Sequence, residues 1–322
     1  MWSGGESALD LVVRTQRTRA FFTELRCVDA VDSARGFQPR DVVEFAVDPA
    51  TTPLSLVLLH VIAAFLLRGQ DRDGGAGDEE RVYLFDHECE LTPTLLFHVL
   101  VDRLKDVESL SARKAVARRA MDRVTLYQCR DTLQWLATLN QLHYELLDVA
   151  PTPFLLAINR IDSFQPIDKM ISKSVGESAA MSDSLLLLLK QFVRYHSPFV
   201  FASKAIAAPR QGWETSETMP SSWTSQVTKR IVMRRRQQTR DEAQRRLSEG
   251  VAECPSAITI EVRVTVARQS HIRVITINGH RIVEEENEAD EQNGAATTTN
   301  AATTDAHSTP TLTAAELWGH SS

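Results

Sequence analysis

The sequence predicts an α/β fold: a mainly parallel sheet flanked by helices, followed by an antiparallel extension. Three observations carry it. From residue 42 to residue 202, short apolar strand-like runs alternate with longer stretches at helical spacing. That alternation is the pattern of strand–helix–strand units in a parallel sheet. Residues 154–158 are apolar without a break, as a strand buried on both faces must be. After Trp223 helical spacing gives way to successive strand-like runs at 227–233, Ile258–Val266 and 271–277.

The elements follow in order. Residues 7–35 mix apolar and charged positions at helical spacing, Phe21 and Phe22 among them, and read as an N-terminal helical lead. Gly36 and Pro39 bracket the stretch that breaks it. Val42–Val47 reads as a strand, 54–68 as an apolar helix, 70–80 as a Gly/Asp-rich solvated loop and 81–85 as a strand. Helices are expected at 93–106, 111–121, 131–148 and 180–196, with strands at 123–129 and 199–202 between and after them. The leucines at 185–189 are expected in the core. The late strands are expected to pair antiparallel, with Asn278-Gly279 turning into a last short strand at 281–283. Residues 285–322 are acidic, then rich in Thr, Ala and Asn. They lack the apolar content that offsets ordering entropy and are expected to be disordered. The expected organisation is a helical segment at 1–35, a core with its sheet extension at 36–284, and a tail at 285–322.

Composition narrows the function. At 322 residues with 43% apolar content, the chain can build a sizeable core. A net charge of −6 argues against a general nucleic-acid binder, so any DNA contact needs a local basic patch. Cys27, Cys89, Cys129 and Cys254 are far apart with no CxxC, which indicates neither a zinc site nor a disulfide framework. No signal-peptide pattern opens the chain and no apolar run is long enough to span a bilayer. A soluble intracellular protein that does not engage membranes is the expectation.

The segment between the first strand and the first long helix has the layout of a phosphate-binding loop without its chemistry. A working loop needs glycines so that backbone N–H groups close on phosphates, a Lys for the β- and γ-phosphates, and a Ser or Thr for magnesium. Here Asp48, Thr51, Thr52 and Ser55 are the polar residues; Gly and Lys are missing, and Pro49 and Pro53 each remove an N–H donor. Read alone, it is an ordinary strand-to-helix connection.

Two further strand ends bear on the same chemistry. Asp86-His87-Glu88 places carboxylates just past a strand, where a Glu could deprotonate an attacking water or simply cap the next helix. A metal site there is not expected, because adjacent residues on an extended chain point to opposite faces. The strand at 154–158 ends in Asn159, where an Asp would help hold magnesium. Asp162 could substitute only if the loop bends back. Lys229, Arg230, Arg234, Arg235 and Arg236, with Arg240, Arg245 and Arg246 beyond, form a basic stretch that reads either as a DNA-phosphate contact or as a solvated face.

These segments in this order resemble the RecA-type core of the eukaryotic paralogues of the strand-exchange recombinase, in particular the short paralogues without a large N-terminal domain. Asp41-Val42-Val43-Glu44-Phe45 looks like the strand before Walker A. Leu84-Phe85-Asp86-His87-Glu88 looks like the aspartate-x-glutamate strand end, with Glu88 at the position of the catalytic glutamate. Leu155-Leu156-Ala157-Ile158-Asn159 looks like Walker B, and Phe199 to Ser203 the next core strand. The resemblance spans roughly residues 36–284. It implies a RecA-like core and a nuclear role in homologous-recombination repair, as a non-catalytic subunit that helps assemble recombinase filaments. Its implied partners are other recombinase paralogues, with single-stranded or branched DNA met through the complex. The family's ATP and magnesium are not expected to carry over, because the Walker A lysine and glycines are missing, Walker B ends in Asn159, and Ser203-Lys204-Ala205 replaces an amide sensor. The side-by-side contact of such cores places Phe164 and Ile167 at a partner surface, with Phe21 and Phe22 as a second one. The alternative is an unorthodox P-loop ATPase of the RecA class with DNA-dependent activity, for which Glu88, Asp162 and Lys204 are the only support. A structural ATPase-like protein outside DNA repair is a third reading.

Overall fold

The computed structural model describes residues 20–47, 54–68, 80–148, 152–175, 181–206, 217–236, 257–266 and 269–284. In chain order the elements are α1 (Arg26–Asp29), a 3-10 turn (Ala30–Asp32), β1 (Val42–Val47), α2 (Leu54–Leu67), β2 (Arg81–Asp86), α3 (Pro93–Arg103), α4 (Leu110–Met121), β3 (Val124–Tyr127), α5 (Thr132–Leu147) and β4 (Phe154–Asn159). They continue with α6 (Gln165–Val175), α7 (Met181–His196), β5 (Phe199–Ala205), α8 (Ser221–Thr224), β6 (Lys229–Arg235), β7 (Ile258–Val266), β8 (Gln269–Asn278) and β9 (Arg281–Glu284).

Among the described residues, nine strands form one sheet in the order β3-β2-β4-β5-β1-β6-β7-β8-β9. The five neighbour pairs from β3 to β6 are parallel, and β6 to β9 are antiparallel. The mainly parallel core with an antiparallel extension is therefore the observed architecture. β6 joins the two parts: it is antiparallel to β7, as expected of the late strands, and parallel to β1, with Phe45 opposite Ile231 and Val47 opposite Met233. The chain leaves β5 and returns through α8 as a crossover, and a crossover delivers a parallel strand.

The inner strands β1, β4 and β5 are buried on both faces, which is why they read as unbroken apolar runs. On one face Val43, Phe45, Leu84, Leu155 and Phe201 pack under α2, α3 and α4. On the other, Phe85, Leu156, Ile158 and Ala202 pack under α5 and α7 with Trp135 and Trp223. Leu185, Leu186 and Leu189 of the Leu-rich helix do lie in that core, while Leu187 is exposed. Local signals set the helix starts. Thr92 caps α3 through Leu95 N–H at 3.3 Å with Pro93 in the first turn, and Asp131 caps α5 through Gln134 N–H at 2.7 Å.

The N-terminal segment departs furthest from the sequence reading. In its described part, the only α-helix is the four-residue α1, followed by the 3-10 turn. Phe21 pairs with Phe37 across a β-bridge and lies in the core, edge-on to Phe65, Phe199 and Phe201 at 5.3–5.9 Å. Gly36 makes the reversal at φ +64°; a Cβ there would stand 2.9 Å from the Phe21 carbonyl oxygen. The spacing of Phe21 with its neighbours is that of core insertion, not of a helix. The expected helical residues 7–19 and the tail at 285–322 lie outside the described residues.

Helix α2 is apolar apart from Ser55 in its first turn and His60, which is 8% exposed. His60 Nε2 meets the His280 carbonyl oxygen at 3.0 Å, and Nδ1 faces Arg103 Nε at 3.4 Å. A neutral ring satisfies both, donating at one nitrogen and accepting at the other. Burial, reinforced by the Arg103 charge, pushes the His60 pKa down to about 4. The unfolded chain takes up that proton near pH 6.5. This contribution to stability is thus complete above pH 6.5, falls away as pH drops toward 4, and is gone below that. A loss of up to about 3 kcal/mol is expected across this window. Chemical denaturation at stepped pH will measure it, and His60→Gln should make the decline shallower.

Candidate functional site

In sheets of this kind, ligands sit at the carboxyl ends of the strands. The described residues at the ends of β2, β4 and β5 form a closed ladder of hydrogen bonds. Arg160 N–H donates to Ser203 Oγ at 2.7 Å, Ser203 Oγ donates to Asn159 Oδ1 at 3.0 Å, and Asn159 Nδ2 donates to Asp86 Oδ1 at 2.8 Å. The other oxygen of Asp86 accepts Leu91 N–H at 2.8 Å. Asp86, Asn159 and Ser203 are all fully buried. Each side-chain nitrogen and oxygen of the ladder has a hydrogen-bond partner within the protein.

The flanking groups are committed too. Asp162 accepts the Ala205 N–H at 3.2–3.3 Å and pairs with Arg160 Nε at 3.1 Å. The loop does bend back, and it brings Asp162 to the end of β5, where the carboxylate caps the Ala205 N–H. Arg160 reaches this geometry at φ +63°, a conformation side chains seldom adopt. Glu88 is exposed and accepts from Ser163 Oγ at 2.7 Å. Ser55 lies half-buried in the first turn of α2. Asp48, Thr51 and Thr52 lie outside the described residues.

Lys204 was the one cation the sequence offered to an unorthodox nucleotide site, and it belongs to a buried charge cluster instead. It is 2% exposed, 3.3 Å from Glu44 and 2.6 Å from Glu217. Arg230 Nε lies 2.6 Å from the same Glu44 oxygen without hydrogen-bond alignment, and Arg230 also pairs with Glu217 at 2.8 Å. Trp223 Nε1 donates to the second Glu44 oxygen at 2.6 Å. Two carboxylates and two cations thus neutralise one another across β1, β5 and β6. Burial alone would raise Glu217, but hydrogen bonds from Lys204 and Met219 N–H, with the charges of Lys204 and Arg230, hold it below the usual carboxylate range.

The basic stretch is not one patch. Alternation along β6 sends Arg230 and Arg234 to one face and Lys229 and Arg235 to the other. Lys229 pairs with Asp41 and Asp32, Arg230 with Glu44 and Glu217, and Arg234 with Glu261. Arg235 is exposed at the strand end, and Arg236 N–H donates to the Thr259 carbonyl at 2.9 Å. Arg240, Arg245 and Arg246 lie outside the described residues.

Of the expected partner residues, Phe21 is corrected: at 1% exposure it is core and presents no surface. Phe22 is 43% exposed. Phe164 and Ile167 differ in burial. Phe164 is half-buried against His87 and Trp135, with ring centroids 5.0 and 6.5 Å away, whereas Ile167 points outward at 58% exposure. His87 sits inside this ring cluster; burial lowers its pKa to about 4, and neither ring nitrogen has a well-formed hydrogen bond. Among the described residues no group of three His, Cys, Asp or Glu side chains is placed to hold a metal, and no helix is long and apolar enough to cross a membrane.

Sequence reasoning missed Ser203 and Asp86 as ladder members and Glu44 as the centre of the charge cluster. Only Glu44 left a signal, as a carboxylate inside an otherwise apolar strand.

No protein-family model matches the sequence, and no curated protein sequence does. Among solved structures, the crystal structure of the RadB recombinase is similar over 83% of this chain and 100% of that chain, with TM-score 0.54 and 13% sequence identity. The fold is RecA-like. At that identity the likeness speaks for architecture, and the chemistry has to be read from the residues of this chain.

Proposed function

We propose that this protein is a non-catalytic recombinase-paralogue subunit that supports homologous-recombination repair in the nucleus, promoting recombinase filaments by assembling with other paralogues. In layout it resembles the second X-ray repair cross-complementing protein, through the motifs at residues 41–45, 84–88 and 155–159. The observation that supports the non-catalytic reading is the buried, hydrogen-bonded Asp86–Asn159–Ser203 ladder, with Asp162 and Lys204 engaged beside it. Residues that would have to hold magnesium or sense a phosphate are spent on one another. No cofactor is assigned, and ATP with magnesium belongs only to the ATPase alternative. A RecA-like fold without nucleotide chemistry retains binding to other chains as its means of action.

The test is affinity purification from native cells. A recombinase relative should be recovered in near-equal amount. A stable monomer in native extract, with no such relative attached, would contradict the subunit reading.

Direct DNA contact is a lesser part of the proposal, because Lys229, Arg230 and Arg234 are ion-paired. Changing Arg234, Arg235 and Arg236 together to Glu is expected to weaken single-stranded DNA binding and flatten its salt dependence. Anisotropy titrations at several salt concentrations will show it. Unchanged binding in a variant that still melts cooperatively would mark the stretch as a solvated face.

A further inference from the structure

Helix α6 is mounted inside out. At 100° per residue, Gln165, Asp168 and Ser172 share one face, and Ile167, Met170 and Ile171 share the opposite one. The usual arrangement turns the apolar face to the core. Here the polar face is docked: Gln165 and Ser172 are buried at 5% and 8% exposure. Asp168 accepts from Thr132 Oγ1 at 2.6 Å, and Lys169 Nζ donates to the Thr218 carbonyl at 3.0 Å. The apolar face looks outward, with Ile167, Met170 and Ile171 exposed at 58%, 73% and 56%. These two hydrogen bonds, with the burial of Gln165 and Ser172, hold the helix in this orientation and turn the stripe outward. The exposed Lys173 stands one turn beyond Lys169 along one edge of the stripe.

We infer that the exposed face of α6 is a docking site for an amphipathic helix of another protein, one with apolar residues at i, i+3, i+4 spacing and Asp or Glu along one flank. The size of the stripe selects this occupant. Three side chains on one short helix offer a few hundred Å² of apolar area, whereas a stable pairwise interface buries roughly 800 Å² on each partner. A second copy meeting this face alone would fall short, but a single helix reading three anchors fits. The two lysines on one edge supply the charge preference. The inference borrows from the subunit reading only the existence of a partner; the surface stands on its own contacts.

The probe is a synthetic, fluorescently labelled helical peptide with Leu at i, i+3, i+4 and i+7 and Glu along one flank. It is titrated onto the full chain by anisotropy beside a copy with Lys on that flank. Saturable binding of the Glu peptide is expected, weakened at least tenfold in Met170→Asp and Ile171→Asp variants whose melting curves match the parent. Tighter binding of the Lys peptide, or equal binding to parent and variants, would overturn the inference, as would no saturable binding. A dimer in sedimentation that Met170→Asp dissociates would replace the foreign helix by a second copy and also overturn it. Native purification separates this from the subunit reading. A recombinase relative retained equally by parent and Met170→Asp leaves the subunit reading standing and removes α6 from it.

Discussion

Replacing Lys204 by Met is expected to destabilise the protein by about 3–5 kcal/mol, the range for removing one partner of a buried ion pair. Lys204 and Glu44 are 2% and 0% exposed, and Glu44 also accepts from Trp223. Without Lys204, Glu44 keeps the poorly aligned Arg230 contact as its only cation, and the carboxylate remains out of water. Glu217 loses its hydrogen bond from Lys204 at 2.6 Å but is itself 32% exposed, so water can replace that partner. Denaturant unfolding will measure the loss. A double variant, Glu44→Gln with Lys204→Met, should cost less than the sum of the single changes, because it removes both charges at once. A loss under 1 kcal/mol for Lys204→Met would mean that the cluster does not hold β1, β5 and β6 together.

The second large effect concerns a substitution that brings back the missing Walker B acid. Asn159→Asp is expected to destabilise by about 3–5 kcal/mol at pH 7 and to confer no ATP hydrolysis. The Asn159 amide donates to Asp86 Oδ1 at 2.8 Å. Its replacement sets a carboxylate against a carboxylate at full burial, where both cannot ionise. The new carboxyl then holds its proton in the native state above its pKa in the unfolded chain. The sign follows: the penalty is small below about pH 4, where the unfolded chain is protonated too, and grows as pH rises toward the native-state value. Unfolding of the parent and the variant at pH 4 and pH 7 should show the gap widening with pH. A variant as stable as the parent at pH 7 would show that the ladder tolerates a charge, and with it a magnesium site.

The parallel core was legible because burial on both faces leaves a signature that local sequence carries. The strands at 154–158 and 199–202 needed no partner information to be recognised. The pairing of β6 with β1 was not legible, since the residues of a strand do not record which neighbour a crossover brings it beside. Phe21 was misread because an aromatic at helical spacing looks the same whether it lies on a helix or plugs a core between Phe65 and Phe201. Helix α6 was within reach: Ile167, Met170 and Ile171 repeat at helical spacing, but no element was assigned between the strand at 154–158 and the helix at 180–196. The sequence pointed to the strand ends at Asp86 and Asn159 as the place to look, but the ladder there joins residues 86, 159 and 203, pairings too distant for sequence spacing to suggest.

Titration calorimetry of Mg-ATP into the full-length protein tests the non-catalytic reading most directly. A loop without Gly or Lys forfeits several charge-assisted hydrogen bonds, each worth about 1.5–3 kcal/mol, and the strand ends beside it are hydrogen-bonded to one another. The expected result is no saturable heat at affinities tighter than millimolar. Micromolar binding, or a nucleotide that co-purifies with the protein, would contradict it.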